Sequence, residues 1–124
     1  MEEILAQARR LGHAIAAHER FKTLREAEQR VSADESASKV QEAFERQVLK
    51  IAELERQTKP VEVADKREFA RLQDAVRTHP ALQELAKAQA DYLEMMNNVN
   101  DAILNELRTP SQRAAATEPR IQRA

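Results

Sequence analysis

From Pro80 to Leu107 the chain carries one unbroken apolar stripe: Leu82, Leu85, Gln89, Tyr92, Met96, Val99, Ile103 and Leu107 follow one another at steps of three or four residues. That spacing puts them on one face of an α-helix, whereas a strand would alternate faces at every residue. His79 suits the N-cap of such a helix, and Pro80 suits its first position, where the missing N–H has no partner to lose. Thr109-Pro110 stops it, since the residue before a proline is pushed away from α geometry. A helix of about 28 residues is about 42 Å long at ~1.5 Å per residue. A compact domain of about 100 residues has a radius of gyration near 13 Å, so it is roughly 30–35 Å across. The helix outruns the globule it would belong to. Its surplus stripe needs a cover, and a second copy of the chain is the simplest one. The expectation is an elongated homo-oligomer, a dimer or larger.

The rest of the chain shows the same periodicity. Glu2 to His18 places Ile4, Ala8, Leu11 and Ile15 on one helical face, with Gly12 inside the helix as a point of close approach or a bend. Phe21, Leu24, Ala27 (or Glu28) and Val31 mark a second, short helix. Ser32-Ala33-Asp34-Glu35 reads as a capping box that starts a third. There Ala37, Val40, Phe44, Ile51 and Leu54 form a heptad-like seam in which Gln47 takes the skipped position. Pro60 ends this helix near Thr58. A fourth helix spans Val63 to Thr78, with Phe69, Leu72 and Val76 facing inward.

Only Gly12 represents glycine in 124 residues, so the tight turns that a β-rich chain of this size requires are absent. The fold class is all-α: an elongated multihelical bundle with two long helices and shorter ones. Residues 1–108 make the helical domain. Residues 109–124, with two prolines and no apolar period, read as a disordered basic tail. Residues 1–107 hold 16 Lys/Arg against 20 Asp/Glu, a net charge of −4, while residues 108–124 hold four arginines against Glu118, a net charge of +3. An acidic body is unsuited to sequence-independent phosphate-backbone binding, which leaves the Arg-containing tail as a weak nucleic-acid contact.

Little in the sequence supports catalysis. With no cysteine, thiolate metal sites, disulfides and thiol nucleophiles are excluded. His13 and His18 are five apart and therefore on different helix faces, and His18-Glu19 lacks the second histidine of a zincin because Lys22 stands there. No Asp or Glu lies three positions before a histidine, so a di-iron bundle pattern is missing. There is no phosphate-binding glycine loop and no set of base-stacking aromatics. The expectation is no enzyme, no catalytic residue, no metal and no cofactor. No apolar run approaches the ~20 residues of a membrane span, and the opening Met-Glu-Glu has the wrong charge for a secretory leader, so the chain is expected in the cytoplasm. The residues expected to carry packing and oligomer contacts are Phe44, Ile51, Leu54, Leu85, Tyr92, Met96, Val99, Asn100 and Ile103. Met95 and Met96 beside Tyr92 fill the core or form an adaptable surface. Of Asn97, Asn98 and Asn100, at least one must lie near the apolar face, where a buried amide fixes register and oligomer state.

The order of motifs resembles the YlbF/YmcA family of small bacterial helical proteins. Leu11-Gly12-His13-Ala14-Ile15, then Phe21 through Glu28, then Asp34-Glu35, carry the resemblance in the first half. His79-Pro80-Ala81-Leu82-Gln83-Glu84 and Val99-Asn100 carry it in the second, so it covers residues 2–107. It implies an elongated helical array that associates into dimers or larger assemblies. It also implies a regulatory factor that has no catalytic activity and assembles with a further protein. Family members act with the endoribonuclease RNase Y in RNA processing and influence competence, sporulation and biofilm formation. The function expected from the resemblance is a regulatory adaptor in RNA-processing control, and the alternative is a scaffolding homo-oligomer. Two features depart from the family: it has been associated with cysteine-ligated iron–sulfur clusters, for which this chain has no ligand, and its core lacks the Arg-bearing tail.

Overall fold

The computed structural model describes residues 1–111, of which 88% are helical, and no strand occurs among them. Five helices follow in chain order: α1 (Glu2–Ala16), α2 (Glu19–Ala33), α3 (Glu35–Arg56), α4 (Val63–Thr78) and α5 (Pro80–Leu107). Pro110 and Ser111 already have helical backbone, and the remainder of the tail expected over 109–124 lies outside the described residues.

Side-chain caps set three of the helix starts. His18 leaves the helical path and its Nδ1 accepts from the Arg20 N–H at 3.0 Å, so α1 ends at Ala16 and α2 begins at Glu19. Asp34, extended at φ −100° and ψ 106°, accepts from the Ala37 N–H at 3.0 Å and starts α3. This corrects the capping box expected at Ser32. Ser32 is still inside α2, and the aspartate two residues on is an equally strong cap that also ends the preceding helix. Glu35 is thereby released to pair with Lys39 one turn later, at 2.9 Å.

His79 caps α5 as the sequence suggests: its Nδ1 accepts from the Ala81 N–H at 3.2 Å. The proton of the neutral ring therefore sits on Nε2, 2.8 Å from the Ser36 hydroxyl, where it donates. One imidazole ties the start of α3 to the α4–α5 turn. His79→Ala should lower the unfolding free energy by about 1–2 kcal/mol, the usual size of a lost cap. Urea denaturation of the full chain reads this, and no change would mean that the cap and the Ser36 bond are made by water instead.

The end of α3 is a Schellman motif, with Lys59 N–H donating to the Leu54 carbonyl at 2.9 Å and Thr58 N–H to the Glu55 carbonyl at 3.0 Å. Thr58 occupies the left-handed position at φ 55°, where a β-branched side chain is disfavoured and glycine is usual. Thr58→Gly should stabilise the protein by about 0.5–1 kcal/mol, because relief of an αL conformation worth roughly 1–2 kcal/mol outweighs glycine's unfolded-state entropy. A destabilised variant in the same urea titration would show that the Thr58 side chain makes a compensating contact.

The helices pair two by two. α2 runs antiparallel to α5: the Phe21 and Tyr92 rings meet at 5.9 Å, Arg20 donates to the Asp91 carbonyl at 3.1 Å, and Arg30 meets Glu84 at 3.0 Å. α3 runs antiparallel to α4: Phe44 and Phe69 meet at 5.6 Å, Gln47 donates to the Asp65 carbonyl at 3.0 Å, and Lys50 reaches the Asp65 carboxylate at 2.7 Å. The pairs join at the Ser36–His79 contact. There the core gathers Ala27, Val31, Ala37, Leu82, Leu85 and Ala88, with Leu24, Val40 and Val76 packed against it. Alanines at 27, 37 and 88 let the backbones approach closely, and Ala37 is fully buried.

Candidate protein-docking site

The expected seam residues divide over different surfaces. Leu85 is core, 6% exposed. Phe44, Ile51 and Leu54 are half-buried on α3, whose main partner is α4. Tyr92 is half-buried against Phe21 of α2. Met96 and Val99 are half-buried, while Asn100 is exposed and Ile103 is 47% exposed. The α3 and α5 sets are not brought together as one seam, because each long helix takes a shorter helix as its principal partner. Asn97, Asn98 and Asn100 are all exposed, so none fixes register within a single copy.

Two ends of the molecule present apolar surface. At the first, α2 begins beside Asp91 and Glu94, so α1 and the last four turns of α5 project beyond the α2–α5 pair. α1 touches α2 near the turn, packs no more than marginally on α5, and contains no buried residue. Ile4, Leu5 and Leu11 on α1, and Leu93, Ile103, Leu104 and Leu107 on α5, are exposed. Ideal Cβ geometry at Gly12 meets nothing within 4 Å, so the close approach expected there is not made within the chain. At the other end, Val48 and Leu49 of α3 and Val63 at the start of α4 are exposed. Among the described residues seven apolar residues are buried, three of them alanine, while eleven large apolar side chains are exposed, so this surface is richer in large side chains than the core. Such faces are characteristic of protein–protein contact.

The sequence reading missed Leu93 and Leu104, because they fall outside the main α5 stripe. The signal was present: Leu93, Asn97, Asn100, Leu104 and Leu107 follow one another at steps of four and three, a second line beside the main stripe that meets it at Leu107. Gln47, which the sequence reading set at the skipped position of the α3 seam without assigning it a contact, is 9% exposed and the one polar residue among the described residues to reach core burial. Its hydrogen bond to the Asp65 carbonyl explains the skipped position in the α3 stripe.

Charged groups pair within helices and between packed ones. The Lys50 ammonium beside Asp65 holds that carboxyl below its ordinary value, and Arg56 and Arg71 do the same for Glu53 and Glu68 one turn away. The last two pairs are exposed i,i+3 contacts, each a small contribution to helix stability. Among the described residues no group of three or more His, Cys, Asp or Glu is placed to hold a metal. A shallow groove of about 230 Å³ lies between α3 and α5, lined by Phe44, Val76, Leu82, Leu85 and Gln89, and it holds no convergent ionisable set. Among the described residues no helix is long and apolar enough to cross a membrane.

These features define a class: an all-helical protein that offers apolar helix faces to its surroundings. Residues 4–108 match the family described as control of competence regulator ComK, YlbF/YmcA. The chain belongs to that family, a family of regulators. Its fold is similar to the X-ray crystal structure of Bacillus subtilis RicA in complex with RicF, with a TM-score of 0.69 and 16% sequence identity over 82% of this chain and 90% of that one. No curated protein matches the sequence.

Proposed function

We propose that the protein is a non-catalytic regulatory adaptor that works in the cytoplasm through helix-to-helix contacts with other proteins, in the control of RNA processing. The observation that carries this reading is the apolar surface at the two ends of the molecule, α1 with distal α5 and the α3–α4 tip. Membership of a family of competence regulators supports the regulatory part. The fold likeness to RicA, solved in complex with RicF, supports the part played by a protein partner. A partner helix laid along such a face would bury apolar side chains at i, i+3, i+4 and i+7, the recognition mode amphipathic helices use.

The test is affinity purification of the tagged full chain from its native host at low salt, with protein stoichiometry read by quantitative mass spectrometry. A different protein recovered near one-to-one is expected, and loss of that protein on Leu49→Glu or Leu11→Glu, both at exposed positions, would locate its surface. Recovery of the chain alone would sink the adaptor reading and leave a scaffolding oligomer. A one-to-one partner with no change in ribonuclease-dependent transcript ends on deleting the gene would remove RNA processing from the proposal.

A further inference from the structure

We infer that the groove between α3 and α5 is an anchoring pocket for a helix of a different protein. One aromatic side chain of that helix enters the groove, and a Lys or Arg one turn along it meets Glu45. The inference rests on the adaptor reading and deepens it by naming the chemistry of the partner's anchor. The groove lies where the two helix pairs join, and its floor comes from three helices: Phe44 of α3, Val76 of α4, and Leu82 and Leu85 of α5. Leu82 and Leu85 are buried, whereas Phe44 and Val76 are half-buried and leave apolar surface open. A floor set by packed helices holds its shape before anything binds. Size favours a side chain over a free ligand. The groove measures about 230 Å³, below the ~300–1,000 Å³ of small-molecule sites. An apolar cavity of roughly 150 Å³ holds benzene. One aromatic ring therefore fits, and the backbone that carries it closes the open side.

Phe44 favours a ring over an aliphatic anchor. It already meets Phe69 at 5.6 Å, and an incoming ring would extend that tilted pair to a cluster of three, a geometry worth more than its buried area alone. The ring comes from another protein because this chain has no free one. Of its four aromatic residues, Phe21 faces Tyr92 and Phe44 faces Phe69. Charge sets the neighbour of the anchor. Among the described residues Glu45 is the one ionisable group lining the groove, and its exposed carboxylate has neither an ion pair nor a hydrogen bond. A cation of the partner complements it. Gln41 on α3 and Gln89 on α5 flank the same groove with amides that are also without a partner, so both can bond polar groups beside the anchor. The buried ring supplies most of the affinity, as anchors in desolvated pockets do, and the rim charge supplies selectivity.

The chain contains no tryptophan, so a tryptophan in the bound helix reports its own burial by fluorescence. The probe is an alanine–glutamine helical peptide with one Trp and a Lys four residues after it, held at micromolar concentration and titrated with the full chain. Its emission should move to the blue and saturate. In competition, the same peptide with Ala for Trp should bind at least tenfold more weakly, and with Glu for Lys at least threefold more weakly. Ala86→Phe, at an exposed position on the groove, fills the pocket from its own chain and should abolish the shift with the urea midpoint unchanged. Glu45→Lys should invert the preference, so that the Glu peptide binds more tightly than the Lys peptide. Loss of folding cannot produce that inversion, so this variant carries the test should Ala86→Phe disturb the fold. Four results would overturn the inference: no saturable shift; equal competition by the peptide without Trp; no inversion by Glu45→Lys; or indole alone binding as tightly as the peptide, which means a free-ligand site. An oligomeric chain that Ala86→Phe converts to monomer would also overturn it, since the groove then belongs to a second copy. A different protein captured one-to-one, with retention unchanged by Ala86→Phe, would sink this pocket and leave the adaptor reading in place. Recovery of the chain alone would sink both.

Discussion

Leu85→Ala is expected to lower the unfolding free energy by about 3 kcal/mol, within the ~2–5 kcal/mol range for emptying a buried leucine site. Leu85 is 6% exposed, and it belongs to the small cluster where the α2–α5 pair meets α3 and α4. The α3–α5 groove that Leu85 lines is open to solvent, so water can relieve part of the cavity, which places the figure below the top of the range. Domains of this size are stable by ~5–15 kcal/mol, so the loss is a large share of the total. Urea unfolding of both chains at one protein concentration measures it, since an oligomer's stability depends on concentration. Leu93→Ala, 59% exposed on the same helix, is the control and should change stability by less than about 0.5 kcal/mol at a concentration where the chain is monomeric. A Leu85 effect under 1 kcal/mol would show that the junction of the two helix pairs is not where the stability resides.

Phe44→Ala is the second large effect, about 3 kcal/mol, the low end of the ~3–5 kcal/mol usual for deleting a core aromatic. The low end applies because the ring is half-buried rather than enclosed. It nevertheless links α3 to α4, facing Phe69 at 5.6 Å with a tilt of 34°. Around it the α3–α4 pair has Leu72 as its buried residue and the polar Gln47–Asp65–Lys50 contacts. A double-mutant cycle with Phe69→Leu and Phe44→Leu should give a coupling of about 0.5–1.5 kcal/mol, the value of a tilted aromatic pair beyond its buried area. Additive single effects would mean that the rings touch without interacting. A loss under 1 kcal/mol for Phe44→Ala would mean that α4 is held chiefly by the polar contacts.

The sequence by itself determined which segments are helical and where most of them stop. Those properties are local: the three-and-four spacing, the shortage of glycine, and Pro60, Pro80 and Pro110 all act within a turn or two of backbone. His79 was legible as a cap for the same reason, whereas Ser32 was not excluded, because Ser and Asp compete at neighbouring positions and only the path of the chain selects between them. A single stripe on α3 or α5 shows that a face is apolar and leaves its partner unspecified. Tertiary structure decided that α5 takes α2, that α3 takes α4, and that α1 joins neither pair beyond a small contact with α2. The choice depends on side chains far apart in sequence: Arg20 reaching Asp91, Gln47 reaching Asp65, and alanines 27 and 88 letting two helices close. It is also why the exposed second stripe of α5 stood out only after the first had been covered: burial belongs to the assembled helices, and periodicity belongs to each one alone.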